Sequence, residues 1–261
     1  MEKIRLDVLM VEKGLAESRN LAQRLVMAGQ VRVDGQVVLK PATKMGETVV
    51  ISVDRGPKFV SRGGEKLDAA LQAFGLTDLQ NRVCADVGAS TGGFTDCLLQ
   101  HGAANVYAID VGYGELHWKL RNDPRVVVME KTNARFVTNL PEPVDLVSVD
   151  ASFISLRTLL PVIKVWLSPM GEVVALIKPQ FEAGRAEAAK GEGVIRDPAV
   201  HGEVLKTVLE FAQAQGYGLL GLIRSPLTGP KGNVEFLAHW NLKDANGVDA
   251  DEQIQKALMV Y

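Results

Sequence analysis

The stretch Asp86-Val87-Gly88-Ala89-Ser90-Thr91-Gly92-Gly93-Phe94 is the most informative indication of the fold of this chain. It completes the apolar run Val83 to Val87, which predicts a strand, and it leads into a helical pattern that begins near Phe94. Glycines between a strand and a helix let the backbone pass close to a ligand, because they carry no Cβ. The stretch lacks both the Gly-x-Gly-x-x-Gly spacing and the lysine of a Walker loop, so it does not indicate a pyrophosphate bound at the helix.

Apolar strand patterns alternate with helical patterns from this turn onward. The predicted strands are 83–87, 106–110, 126–129, 146–150, 172–178, 218–224 and 235–240, with a long helix over 198–215. Such alternation predicts an α/β domain, a parallel sheet with helices on both faces that the last two strands close as a hairpin-like pair. Ligands bind such a sheet at the carboxyl ends of its strands, so the residues leaving each strand are candidates for chemistry.

The first sixty residues follow a different pattern, which predicts a small α+β unit. A short helix stops at Gly14, and Ser18 is placed to cap a second helix. We expect Leu21, Leu25 and Ala28 to share one face of that second helix, with Arg19, Gln23 and Arg24 directed largely away from it. Period-two alternation around Asp34-Gly35 then predicts a β-hairpin.

Composition and charge limit the protein class. The 261 residues suffice for one large core and a small second domain, and no apolar run approaches the length of a membrane span. Residues 1–66 hold 12 Lys and Arg against 8 Asp and Glu, whereas the remaining residues hold 17 against 23. This basic head favours contact with phosphates, although a solvated face is the alternative. We expect the two cysteines, Cys84 and Cys97, to be reduced core residues without zinc-type spacing, and the protein to be cytoplasmic.

Charged and polar residues stand where the predicted strands and helices end. Asp110 follows the second strand of the sheet, where a carboxylate can accept from both hydroxyls of a ribose, and Asn133-Ala134 follows the third, where it can hold an adenine edge. A helix cap and a turn residue are the structural alternatives. Four further charges lie at such ends: Lys66, Asp150, Lys178 and Glu235. Lys178 ends an apolar strand, where an unpaired ammonium would be costly.

The N-terminal unit resembles the S4 RNA-binding domain in three short motifs. These are Ser18-Arg19, Ala28-Gly29-Gln30-Val31 and Val33-Asp34-Gly35. The resemblance implies a module that lays a basic face on structured RNA, and the residues it assigns to phosphate contact are Arg5, Arg19, Arg24 and Lys44. A helical cap with ordinary surface arginines is the other interpretation.

The rest of the chain is similar to FtsJ-type ribose methyltransferases, and the whole chain to the TlyA family, which joins an S4 domain to that catalytic domain. The motifs that carry the similarity are Ser61-Arg62-Gly63-Gly64-Glu65-Lys66-Leu67, the Asp86–Phe94 stretch, Asp110-Val111-Gly112-Tyr113-Gly114, residues 120–126, Asp150-Ala151-Ser152-Phe153-Ile154-Ser155-Leu156, Lys178-Pro179-Gln180-Phe181 and Gly232-Asn233-Val234-Glu235. This resemblance implies an S4 domain over 1–59, a methyltransferase domain over 60–245 and a tail over 246–261.

The resemblance also implies the site and the reaction. S-adenosylmethionine would be held by Asp86, Gly88, Ser90, Gly92, Gly93, Phe94, Asp110, Val111, Asn133, Ala134 and Asp150. Lys66, Asp150, Lys178 and Glu235 would be the catalytic tetrad, with Lys178 taking the hydroxyl proton or orienting the oxygen, and with no metal. The acceptor would be a cytidine 2′-hydroxyl in 16S or 23S rRNA or both, reached on ribosomal subunits through the S4 unit and a linker from Arg55 to Arg62. The short termini favour 23S rRNA.

Other functions fit the motifs less well. Enzymes that methylate amino groups usually carry Asn/Asp-Pro-Pro-aromatic where this chain has Asp150-Ala151-Ser152-Phe153. Enzymes that methylate base carbons usually need a cysteine nucleophile near the strand ends, and neither cysteine is well placed. A membrane-active haemolysin lacks support from any amphipathic basic helix. An S4-guided assembly factor that has lost methyl transfer stays open, because a sequence cannot show turnover.

Overall fold

A computed structural model of the chain describes residues 3–54, 56–184, 193–229, 231–243 and 247–259. The chain divides into two compact units, Met1–Lys58 and Phe59–Tyr261. Arg55, where the predicted linker begins, lies outside the described residues. Within these ranges, every helix is too short or too polar to cross a membrane.

The first unit packs two helices against short antiparallel strands. Its elements are β1 (Ile4–Arg5), α1 (Leu6–Glu12), α2 (Arg19–Met27), β2 (Val31–Val33), β3 (Gln36–Val37), β4 (Lys44–Met45) and β5 (Ile51–Val53). β1 pairs with β4, and β2 lies between β3 and β5. Asp34 and Gly35 make the tight turn between β2 and β3 with positive φ angles, which confirms the predicted hairpin. The Ser18 side chain accepts from the Leu21 amide, which confirms the predicted cap of α2.

The buried face of α2 differs from the predicted one. Ala22 and Val26 are fully buried, whereas Leu21 and Leu25 are half-buried and Ala28 is exposed. Leu21 and Leu25 nevertheless pack against the core of this unit, so the predicted face lies beside the centre of the buried one. The apolar stripe of this helix is wide, so periodicity alone does not decide which row of side chains lies at its centre.

A buried carboxylate, Asp7, organises the polar side of this unit. It accepts from Arg5 Nε and Nη2, both at 2.9 Å, from Arg19 Nε at 3.0 Å and from Gln23 Nε2 at 2.7 Å. The hydrogen bond from Arg5, with those from Gln23 and Arg19, holds the pKa of Asp7 well below its usual range despite burial. Arg5 and Arg19, predicted to contact RNA, are thus also ion-pair partners within the unit.

The second unit is a layered α/β domain. Its elements are α3 (Gly63–Ala73), β6 (Val83–Val87), α4 (Gly93–Gln100), β7 (Asn105–Ile109), α5 (Trp118–Arg121), β8 (Val126–Met129), a 3₁₀ turn (Ala134–Phe136), β9 (Val144–Val149), α6 (Leu156–Trp166), β10 (Leu167–Ile177), α7 (Pro179–Glu182), α8 (Pro198–Ala214), β11 (Gly218–Arg224), β12 (Phe236–Asn241) and α9 (Ala250–Met259).

One seven-stranded sheet carries this unit, in the order β11-β12-β10-β9-β6-β7-β8. The five strands from β10 to β8 are parallel, and β12 runs antiparallel to both β10 and β11. This arrangement confirms the predicted parallel sheet closed by a terminal hairpin-like pair. Apolar side chains fill both faces, with α3 and α4 over one and α6 and α8 over the other. The carboxyl ends of β6, β7, β9 and β10 therefore meet at one edge.

The C-terminal stretch predicted as a tail contains a packed helix. Ile254 and Ala257 of α9 are buried and belong to the same core cluster as the apolar face of α8. Just before α9, the Val248 amide donates to the Leu219 carbonyl of β11 at 2.7 Å. These contacts join the described part of this stretch, residues 247–259, to the second unit.

Candidate active site

The turn between β6 and α4 packs against the backbone that follows β9. Gly88 adopts φ +87°, and a Cβ at this position would lie 2.8 Å from the backbone oxygen of Asp150. Ser90, two residues later, also has a positive φ, which non-glycine residues seldom adopt. The sequence motif therefore produces a turn in which glycine is sterically required and the backbone is held in a strained path.

Asp86, in β6 just before this turn, hydrogen-bonds to the neighbouring helix and strand. Its carboxyl group is fully buried and accepts from Thr95 Oγ1 at 2.7 Å and from Ser148 Oγ at 3.3 Å. Burial, which disfavours the charged form, together with the charge of Asp150, raises the pKa of Asp86 to about 7. Asp86 was predicted to bind the methyl donor, but its side chain lines neither of the cavities at this edge.

The larger of two cavities at the carboxyl edge has a volume of about 450 Å³. Seven residues predicted to hold the donor line it: Gly88, Ser90, Asp110, Val111, Asn133, Ala134 and Asp150. Residues that were not predicted as site residues also line it, among them Glu115, Thr132 and Phe153. Both exposed and buried residues thus enclose a space that spans the ends of β6, β7 and β9.

The carboxylate of Asp110 is fixed in this larger cavity by backbone groups. Oδ2 accepts from the Ser90 amide at 2.8 Å, and Oδ1 accepts from the Gly112 amide at 2.7 Å. Glu115 Oε2 accepts from Ser90 Oγ at 3.2 Å, so two carboxylates converge near the turn. Asn133 Oδ1 accepts from the Arg135 amide at 3.1 Å. Each of these side chains is therefore oriented before any ligand binds.

The smaller cavity has a volume of about 340 Å³ and contains the four charged residues of the predicted tetrad. Lys66, Asp150, Lys178 and Glu235 all line it, together with Arg62, Gly93 and Phe94. Ser61 and Ser152 line it as well and were not predicted. Gly92 lines neither cavity and is buried against leucine side chains.

The tetrad is arranged as two lysine–carboxylate pairs. Lys66 Nζ lies 2.5 Å from Glu235 Oε2, and both side chains are almost fully buried. Lys178 Nζ lies 2.6 Å from Asp150 Oδ1 and also donates to Ser152 Oγ at 3.0 Å and to the Asp150 carbonyl at 3.3 Å. Pairing each ammonium with a carboxylate avoids the large cost of an isolated buried charge. The pairs therefore hold charged groups in a place that is largely closed to water.

The two cavities meet. Gly88, Ser90, Asp150 and Ser152 line both of them. A molecule in the larger cavity and a second molecule in the smaller cavity would therefore approach each other beside Asp150. Such an arrangement suits the transfer of a group between two bound substrates, because it fixes their mutual orientation.

Phe153 is the most unusual residue at this edge. The residue is 90% exposed, its backbone has φ +63°, and its ring contacts that of Phe181 with centroids 4.9 Å apart. A positive φ at a non-glycine residue is a strained conformation that is found preferentially at functional sites, and this ring borders the larger cavity. Its place directly after Asp150-Ala151-Ser152 was the sequence signal that could have identified it.

Models of two known families match this chain. The profile of the FtsJ-like methyltransferase family matches residues 59–242, and that of the S4 domain matches residues 4–51. The 16S/23S rRNA (cytidine-2′-O)-methyltransferase TlyA of Mycobacterium tuberculosis is 48% identical over 90% of this chain and 88% of its own. Hemolysin A of Brachyspira hyodysenteriae is 44% identical over 91% of this chain and 99% of its own. The solved structure "Putative hemolysin from Streptococcus thermophilus" superposes with a TM-score of 0.73 at 43% identity, over 99% of this chain and 95% of that one.

Replacing Gly88 by alanine should destabilise the second unit more than the same replacement at a glycine that has a positive φ but open space around it. The new Cβ would both require an unfavourable φ and overlap the Asp150 carbonyl, so we expect a loss of at least about 2 kcal/mol. Urea unfolding followed by tryptophan fluorescence measures this unit alone, since Trp118, Trp166 and Trp240 all lie in it. Gly75 has φ +72° and open space around it, so Gly75→Ala measures the cost of the positive φ alone and is the control. Equal losses in the two variants would refute the steric account.

The stability of the second unit should depend on pH through Asp86. The pKa of this carboxyl is about 7 in the folded chain, against an ordinary value of 3.8 when it is exposed to water, so between these values the folded chain binds the extra proton. The stability that this carboxyl contributes is therefore complete below about pH 4 and is lost as the pH rises through 7. Between these values the free energy of unfolding should fall by up to about 1.4 kcal/mol per pH unit. Urea titrations from pH 4.5 to 7.5 should show this slope in the native chain and a flatter one in Asp86→Asn. Identical slopes would contradict the assignment.

Proposed function

Because the chain belongs to the FtsJ-like methyltransferase family and carries an S4 domain, we propose that it transfers a methyl group from S-adenosylmethionine to the 2′-hydroxyl of a cytidine in ribosomal RNA. The observation that carries this proposal is the meeting of two cavities at Asp150, one lined by polar groups suited to a nucleoside and the other by the paired lysines. The name of the M. tuberculosis relative describes the same reaction on 16S and 23S rRNA, and which rRNA this chain modifies is decided by the assay below.

The larger cavity fits S-adenosylmethionine. Asp110 presents its fixed carboxylate to ribose hydroxyls, and the amide nitrogen of Asn133 is available to a base edge, since its oxygen is the atom that caps the 3₁₀ turn. The Gly88 turn leaves room for the part of the donor nearest the reaction, because no Cβ projects there. When bound, this donor supplies a methyl group on a positively charged sulfur, which is already electrophilic.

The charged side chains of the smaller cavity make a ribose hydroxyl reactive in this proposal. A 2′-hydroxyl is a poor nucleophile near neutral pH, so the enzyme has to orient its oxygen and accept its proton. Lys66 has Glu235 as its only hydrogen-bond partner among the described residues, and its other N–H groups can hold the incoming oxygen. Lys178 is held by three acceptors of the chain and is therefore fixed in direction next to Asp150.

The proton released from the hydroxyl is taken up by the Lys178–Asp150 pair. In the resting state this pair is an ammonium and a carboxylate, 2.6 Å apart. Lys178 passes a proton to Asp150 and receives the hydroxyl proton as the oxygen bonds to the methyl group and the carbon–sulfur bond breaks. The pair ends with one added proton, and Glu235 keeps Lys66 in place throughout. Because these side chains supply both the positive charge and the proton acceptor, the step needs no metal ion.

The S4 unit would bring ribosomal RNA to the enzyme, which we place in the cytoplasm with the ribosome. Arg24 and Lys44 are exposed, whereas Arg5 and Arg19 keep 39% and 54% of their side chains exposed while bonded to Asp7. All four can reach phosphates, the first two without giving up an internal ion pair. In the second unit, Arg62 is exposed at the smaller cavity, where it can contact the acceptor strand.

Lys178→Ala should nearly abolish methyl transfer. We expect transfer of radiolabelled methyl from S-adenosylmethionine to fall by at least about 100-fold, because the proton acceptor and its orientation are both lost. The assay uses bacterial 30S and 50S subunits that lack the modification, with the labelled nucleotide identified as 2′-O-methylcytidine. Lys256→Ala, an exposed lysine on α9, is the matched control and should keep full activity.

The same assay separates this proposal from the main alternative. Label in 2′-O-methylcytidine on either subunit, lost in Lys178→Ala, supports the enzyme. A chain that binds the donor but transfers no label to either subunit or to naked RNA would instead be an S4-guided assembly factor. Label on a base rather than on ribose would overturn the assigned acceptor.

Loss of exposed basic groups in the first unit should weaken binding to ribosomal subunits in a salt-dependent way. Each phosphate contact removed lowers the slope of log affinity against log salt by roughly 1, so the double replacement Arg24→Ala and Lys44→Ala should reduce it by about 2. Filter binding at several salt concentrations measures the slope. An unchanged slope would show that this face does not contact RNA, and Lys256→Ala again controls for net charge.

A further inference from the structure

We propose that Asp68, Cys97 and His101 form a binding site for a zinc-like divalent metal ion, apart from both cavities. Cys97 lies in α4, His101 ends that helix one turn later, and Asp68 lies in α3. One ligand atom from each residue, an oxygen, a sulfur and a nitrogen, lies within 4.8 Å of the other two. The three residues are thus brought together by the packing of two helices.

His101 carries the strongest argument for a cation. Its Nδ1 lies 3.0 Å from the Thr77 carbonyl oxygen and its Nε2 lies 2.9 Å from Asp68 Oδ1. A neutral imidazole has one N–H and can donate to only one of these oxygens. The arrangement is satisfied either by an imidazolium or by a cation at Nε2. A Nδ1–H bonded to a backbone carbonyl, with Nε2 directed at the metal, is the usual arrangement of metal-binding histidines.

The nitrogen and oxygen ligands need little movement to hold an ion, and the sulfur of Cys97 lies within 4.8 Å of a ligand atom of each. Tetrahedral coordination with Zn–N and Zn–O near 2.0–2.1 Å separates nitrogen and oxygen by about 3.3 Å, and sulfur from either by about 3.5 Å. His101 Nε2 and Asp68 Oδ1 would therefore separate by only a few tenths of an ångström from their 2.9 Å. Asp68 Oδ2 accepts from Gln72 Nε2 at 3.1 Å, which orients the carboxylate from behind.

Burial and ligand type indicate the class of metal. Cys97 is fully buried, whereas the side chains of His101 and Asp68 are 15% and 14% exposed, so an ion would enter from their side. A set of one sulfur, one nitrogen and one oxygen ligand favours zinc over magnesium or calcium, which prefer oxygen alone. The site was not apparent from spacing, because Asp68 precedes Cys97 by a whole strand and turn.

A bound ion would connect two helices that border the smaller cavity. α3 carries Lys66 two residues before Asp68, and α4 begins at the glycine turn. An ion held by Asp68 in the middle of α3, by Cys97 in the C-terminal half of α4 and by His101 at the C-terminal end of that helix would therefore fix the position of α3, and with it the Lys66–Glu235 pair, relative to α4. Its role would be structural, since neither cavity contains any of the three ligands.

Titration with cobalt chloride tests the site directly. The full chain is prepared without a histidine tag, treated with a chelator and titrated with Co²⁺ while the absorption spectrum is recorded. We expect one equivalent to bind with a thiolate-to-cobalt charge-transfer band, which added zinc chloride then removes. Cys97→Ser should abolish the band, and His101→Gln and Asp68→Asn should each weaken binding by at least about tenfold.

The only other cysteine and an unrelated histidine supply matched controls. Cys84→Ser and His117→Gln should leave the band and the affinity unchanged. If Cys97→Ser does not fold, as judged by circular dichroism, the two partly exposed ligands decide the result. Absence of a charge-transfer band in the native chain at millimolar Co²⁺, or the same band and affinity in His101→Gln and Asp68→Asn, would overturn the proposal and leave an ordinary histidine–aspartate ion pair.

Discussion

The need to pair buried lysines with carboxylates determines the arrangement of the catalytic edge. Lys178 directly follows the buried strand β10, and Lys66 lies on the buried face of α3. Neither ammonium is tolerable there alone, so Asp150 from the end of β9 and Glu235 from the start of β12 lie within hydrogen-bond distance of them. Four segments distant in sequence are thereby fixed around one small cavity.

Asp150 connects this charge arrangement to the glycine turn. Its side chain pairs with Lys178, its amide donates to the Val87 carbonyl at 2.9 Å, and its own carbonyl lies where a Cβ on Gly88 would be. The same residue lines both cavities. The proposed reaction depends on this double role, because the donor and the acceptor can meet only where the two cavities join.

The sequence allowed the sheet and most of the site to be predicted, because both rest on local patterns. Apolar runs mark the strands, and chemistry-bearing residues stand at their ends, so Asp110 and Lys178 could be placed at one edge without a structure. The pairing of the tetrad into Lys66–Glu235 and Lys178–Asp150 could not, because which carboxylate meets which lysine depends on strand order. Features that depend on side-chain direction also escaped prediction. Asp86 looked like a ligand for the donor, yet its side chain points into the protein and supports the turn.

Contacts between residues distant in sequence could not be predicted either, because they depend on how the elements pack. The role of Asp7 could not be predicted because its partners lie up to sixteen residues away. The cluster around His101 was hidden in the same way, since α3 and α4 are brought together only by packing.

The most direct test of the account is a crystal structure of the chain with S-adenosylhomocysteine, the product of the donor. The account predicts that the ribose hydroxyls bind Asp110, that the adenine lies at Asn133, and that the sulfur lies beside Gly88 and Asp150, facing the cavity of the paired lysines. A ligand bound in the smaller cavity, or one whose sulfur points away from Lys178, would contradict the claim that methyl transfer takes place where the two cavities meet.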